Sequence, residues 1–171
     1  AGKAGSPTPV CCRRGQARGA FPRPTSRYAL RMLVGVVQLT STDDLAANLA
    51  AVRQGVAEAA QRGATFVALP ENFAFLRREG RPIPCAQALD GAIVTHLRQL
   101  AQAHGIWLLG GTFPEAIPET DRIHNTSVLV GPGGSIEAIY RKIHLFDVDL
   151  SASGGGTFVE SSIIAPGEDV V

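Results

Sequence analysis

LVGVVQLTSTDDLAANLAAVRQGVAEAAQRGATFVALPE, residues 33–71, changes its hydrophobic period twice, and those changes set the fold class. Leu33–Leu39 is a short apolar run of the kind that forms a buried strand. Ser41, Thr42, Asp43 and Asp44 come next. Such side chains accept from the free N–H groups of a helix start, and acids suit the positive end of its dipole. Leu45, Leu49, Val52, Val56 and then Ala59 or Ala60 recur at helical spacing and predict one buried face. Gly63 is placed to close that helix. Thr65–Leu69 is a second buried-strand run, with Pro70 and Glu71 at its C-terminal end.

The same alternation continues downstream. Residues 72–90 are irregular, because Pro82 and Pro84 block a regular helix. A second amphipathic helix is predicted over about Ala92–His104, with Ile93, Leu97, Leu100 and Ala101 on one side and Gly105 as its stop. Ile106–Leu109 is a third strand. A polar loop with Pro114 and Pro118 leads to a fourth, His124–Val130. Pro132–Gly133–Gly134 is a turn, so Ser135–Arg141 returns as the fifth strand of a hairpin. The order β-α-β-α-β-β-β is an α/β pattern. Beyond Lys142 the glycines at 154–156 and Pro166–Gly167 predict loop.

Composition narrows the function. The 171 residues suffice for one domain with a core. Residues 1–31 hold seven Lys/Arg and no acid, whereas residues 32–171 hold nine Lys/Arg against fifteen Asp/Glu. The body is therefore mildly acidic and offers no basic stripe for nucleic acid. No apolar run approaches the roughly 18 residues of a membrane span. Residues 1–31 are expected to be a disordered or non-native arm. Met32, the single methionine, marks the expected start of a domain over 32–171, although the Arg-rich, acid-free arm also has the look of a transit peptide. Cys11, Cys12 and Cys85 form neither a disulfide framework nor a zinc pattern, so a reducing, cytoplasmic setting is expected.

Ligands in open α/β folds bind beyond the carboxyl ends of the strands. Glu71 and Lys142 each follow a predicted strand and are expected to reach one edge. There a carboxylate can act as general base and an ammonium can hold an oxyanion; the plainer alternative is a surface ion pair. Lys142 is the only lysine after residue 31, amid eight arginines, which suggests that its position needs a compact ammonium.

LPENFAF (69–75), GGTFPE (110–115), HNTSVLVGPGG (124–134) and YRKIHLFDVDL (140–150), in this order, resemble the carbon–nitrogen hydrolase, or nitrilase, superfamily, and within it the Nit-type amidases. The resemblance implies a nitrilase-type α-β-β-α sandwich, here its N-terminal half. It implies hydrolysis of small-molecule amides, no metal or organic cofactor, and a homo-oligomer at full length. Glu71 matches the family's general base, Lys142 its lysine and Asp149 its second acid. The family's nucleophilic Cys motif has no match here. Cys85, in a proline-bounded loop, is expected to be an apolar filler. The nucleophile is expected beyond Val171, and the chain alone is expected to be inactive. A non-catalytic binding protein of this fold and a carbamoylase-type member are the alternatives.

Overall fold

The computed structural model describes residues 32–78 and 80–171, so the expectations for residues 1–31 lie outside it. Three short parallel strands open the sheet: β1 (Val34–Val36), β2 (Phe66–Ala68) and β3 (Trp107–Leu109). Between them run α1 (Leu45–Gln61) and α2 (Ala92–His104). Asp44 caps α1, its carboxylate accepting from Ala47 N at 3.0 Å. Arg62 is the C-cap, and Gly63 follows with φ 88°. Gly105 ends α2.

β4 (Phe113–Ala116) and β3 share one edge of β5 (Ile123–Val130), β4 against Ile123–Thr126 and β3 against Leu129–Val130. They are in effect one strand interrupted at residues 110–112. β6 (Ile136–Arg141) pairs with the other edge of β5 as the predicted hairpin. β7 (Asp147–Asp149) and β8 (Thr157–Val159) form a separate two-stranded ribbon.

Two expectations are corrected. Residues 113–116 were expected to lie in a loop but form β4. Pro114 breaks nothing there, because its carbonyl accepts from Gln87 N at 3.2 Å. In a strand a residue's nitrogen and carbonyl point the same way, so the missing N–H faces that outer edge and not β5. The segment after Lys142 is likewise a hairpin and not plain loop, with residues 150–156 as its turn.

Both helices lie on one face of the sheet. Val67, Leu108, Val128 and Val130 point into it and pack with Val52, Val56, Ile93 and Leu97, all fully buried. Each such side chain contributes about 1.5–3 kcal/mol. Val34, Val36 and Trp107 sit on the opposite face and remain exposed, as alternation along the strands requires. Asn48 is a buried polar exception on α1. Its amide donates to Thr42 O at 2.7 Å and Ala74 O at 2.8 Å, which ties the loop after β2 to the helix.

Candidate active site

Glu71 is held by a crossing of two chain segments. Beyond β2, Thr112 N donates to Pro70 O at 3.3 Å, Phe73 N donates to Thr112 O at 3.2 Å, and Asn72 N donates to Thr112 Oγ1 at 2.8 Å. The approach is close enough to demand glycine at 111: it has φ 38°, and a Cβ there would lie 1.9 Å from Pro70 O. Asn72 takes the left-handed conformation at φ 54°, which asparagine tolerates better than most residues. This bend sends the Glu71 side chain past the carboxyl end of the sheet.

Lys142 leaves β6 on the same side. Its N–H donates to Asn125 O, and Gly167 N donates to its carbonyl, each at 2.9 Å. A Cβ at Gly167 would lie 2.3 Å from Arg141 O, so only glycine lets this strap lie on the end of β6. The Lys142 ammonium stands 3.5 Å from Glu71 Oε1 and 3.1 Å from the carboxylate of Glu160. Glu160 opens a short 3-10 turn after β8 and also accepts from Phe146 N at 2.6 Å. Desolvation is the largest influence on Lys142 and pulls its pKa down. Glu160, and then Glu71, outweigh it and hold the ammonium above its ordinary value. The amine is therefore a stable cation and not a base near neutral pH.

Asn125, nearly buried on β5, donates from Nδ2 to Glu71 Oε1 at 2.9 Å. Glu71 Oε2 is left without a hydrogen bond among the described residues. The Asn125 Oδ1 acceptor is buried and has no partner among the described residues. Beside this group opens a cavity of about 220 Å³, with Phe75, Ile123 and Ile163 as apolar wall and Asn125, Glu160 and Arg77 as polar lining.

Arg141, next to Lys142, forms a two-pronged pair with Glu115: Nε donates at 2.7 Å and Nη2 at 2.6 Å. Thr126 donates a third bond to Glu115 at 2.7 Å. Burial pushes the Glu115 pKa up, but the bonds from Arg141 and Thr126 prevail and hold the carboxyl below its ordinary value.

Of the residues singled out in the sequence, the structure brings Glu71 and Lys142 together and leaves Asp149 out. Asp149 lies exposed on β7, where it accepts from Ser151 N at 2.9 Å and Thr157 Oγ1 at 3.1 Å. Those bonds, Ser151 first, lower its pKa. The acid beside Lys142 is Glu160, delivered by the hairpin that the sequence reading took for loop. The signal for Glu160 was slight, a lone acid after the apolar pair Phe158–Val159. Cys85 is half-buried, and burial pushes its thiol pKa up, opposite to an activated nucleophile. Phe73 belongs to the core, edge-on to Phe113, while Phe75 lines the cavity. Among the described residues no three His, Cys, Asp or Glu side chains come together as a metal site would require.

Residues 33–171 match the family described as carbon-nitrogen hydrolase. The chain belongs to the carbon–nitrogen hydrolase family. It is 36% identical over 137 residues to a deaminated glutathione amidase of Synechocystis, covering 80% of this chain and 50% of that protein. With the omega-amidase NIT2 of Xenopus tropicalis it shares 35% over 135 residues, covering 79% and 48%. The crystal structure of the C. elegans NitFhit protein superposes with a TM-score of 0.71 at 30% identity, over 81% of this chain and 34% of that one. The chain thus has the nitrilase-type fold of its relatives and spans about half the length of the curated relatives it matches. No helix among the described residues is long and apolar enough to cross a membrane.

Proposed function

We propose that this carbon–nitrogen hydrolase chain contributes the base and the oxyanion-holding cation of a site that hydrolyses amides of small molecules. The observation that supports this reading is the Lys142 ammonium held between Glu71 and Glu160 beside a cavity of about 220 Å³. In the proposed reaction a cysteine from outside this chain is the nucleophile. Glu71 takes the thiol proton, and the thiolate adds to the amide carbonyl. Lys142 stabilises the oxyanion that forms. The proton passes from Glu71 to the amide nitrogen, the C–N bond breaks and ammonia leaves. Glu71 then takes a proton from water, whose oxygen cleaves the thioester to give the acid and the free thiol.

Charge balance favours this division of work. Two carboxylates flank one ammonium, so an oxyanion arriving at Lys142 meets a cation whose protonation is secured. Asn125 holds one oxygen of Glu71 and leaves Oε2 for proton transfer. The proposal is tested by ammonia release from a panel of small primary amides, on protein carrying the whole carbon–nitrogen hydrolase domain. Turnover of at least one amide is expected. Ligand binding without ammonia from any of them would favour the non-catalytic alternative.

A further inference from the structure

Lys142 stands one residue beyond the last rung of the β5–β6 ladder, where Arg141 faces Thr126. Backbone at the end of an element opens readily unless something holds it. Here the final rung is locked from the side. Glu115 on β4 accepts one hydrogen bond from Thr126 at 2.7 Å and two from Arg141 at 2.7 and 2.6 Å, so a single carboxylate ties β4, β5 and β6 together. Thr126 is fully buried and Glu115 nearly so.

Successive side chains along a strand point to opposite faces. Thr126 therefore shares the helix-covered face with Val128, and Asn125 turns the other way, toward Glu71. The lock lies behind the site, and each residue it holds is the chain neighbour of a site residue: Thr126 of Asn125, Arg141 of Lys142. Those two neighbours are joined in turn by the bond from Lys142 N to Asn125 O. Glu115 itself does not line the cavity. Stability alone is a weak reason for such a group, because a buried ion pair can often be replaced by well-packed apolar side chains without loss. What the pair adds is geometry. The Arg141 fork meets the carboxylate in one orientation, which sets where β6 ends against β5. The ammonium 3.5 Å from Glu71 depends on that placement, and a displacement of about 1 Å in a reacting group can cost about 100-fold in rate.

Resting on the amide-hydrolase reading, we propose that Glu115 is a positioning residue, which through Arg141 and Thr126 sets the place of the Lys142 ammonium against Glu71. The test is a double-mutant cycle on protein carrying the whole domain, assayed with a small primary amide well below the melting temperature of every variant. Glu115→Gln is expected to lower kcat for ammonia release roughly 10- to 100-fold with KM little changed. In a Lys142→Arg background the same substitution should cost less than about threefold, since the ammonium it positions is already gone. Arg141→Lys keeps the charge without the fork and should show the same non-additivity with a smaller loss; it takes the place of Glu115→Gln in the cycle should that variant not fold. Equal losses with and without Lys142→Arg, or a kcat unchanged by Glu115→Gln, would overturn the positioning role and leave amide hydrolysis standing. Ammonia from no amide with the unmodified protein would overturn both.

Discussion

At the scale of single residues, partners decide what each charge can do. Glu115 and Arg141 are bound by two short hydrogen bonds, and Thr126 completes the acid's shell. The folded pKa of Glu115 lies below its ordinary value. The pair's stabilisation is therefore fully present above the unfolded carboxylate pKa of about 4.3 and is lost as pH falls through the folded value. Glu115→Gln should destabilise the protein by about 1–3 kcal/mol at neutral pH, less than a fully buried pair because Arg141 stays partly in water. The variant's stability should also fall less steeply between pH 5 and 3, values spanning that roughly 4.3 titration. Thermal melts across this range measure both effects, and a parallel fall in the two proteins would show that Glu115 does not titrate as described. Lys142 and Glu71 were legible because each follows a strand-like apolar run. Asp149 was named as the second acid yet makes its bonds to Ser151 and Thr157 and not to Lys142, and Glu115 was not singled out, because sequence spacing does not show which acid a cation will meet. Glu115 meets Arg141 across 26 residues of chain, and Lys142 meets Glu160 across 18.

At the scale of elements, the longer and more periodic a segment is, the better the sequence foretold it. α2 was placed at its observed limits, and α1 and the β5–β6 hairpin were recognised. β4, β7 and β8 were missed. Each is only three or four residues long and lacks the apolar run that marked the equally short β1, β2 and β3, and β4 contains a proline whose missing N–H falls on the edge away from β5. The β7–β8 hairpin has a consequence at the site. It carries Asp149 on the ribbon and Glu160 beyond it, and only Glu160 reaches Lys142. Glu160→Gln keeps the side chain's shape and removes the charge that holds the ammonium. It should lower kcat for amide hydrolysis about 10- to 100-fold, as losing a group that orients the electrostatic apparatus does. Asp149→Asn keeps an acceptor for Ser151 N and should alter kcat less than about threefold, a change worth under 1 kcal/mol. Steady-state ammonia release from both variants settles the order, and a larger loss in Asp149→Asn would return the role of second acid to that residue.

At the scale of the whole molecule, one sheet face is covered by two helices and the other is not. Val34, Val36 and Trp107 form part of an exposed apolar stripe across β1–β3, wider than scattered surface residues would give. The sequence analysis read these strands as buried, and the family resemblance implied an α-β-β-α sandwich, in which both faces of a sheet are covered. What the sequence could not show is which groups cover the second face, since the chain spans about half of its curated relatives. The proposed nucleophile likewise comes from outside the chain, so the central claim needs protein carrying the whole domain. That claim is that Lys142 acts as a compact ammonium toward an oxyanion and not as half of an ordinary ion pair. Lys142→Arg tests it most directly, because arginine preserves the charge and its pairing with Glu71 and Glu160 but replaces the point charge with a wider fork. The account predicts that kcat for ammonia release falls at least about 100-fold in this variant while its melting temperature stays close to that of the unmodified protein. Near-normal turnover by Lys142→Arg would contradict it.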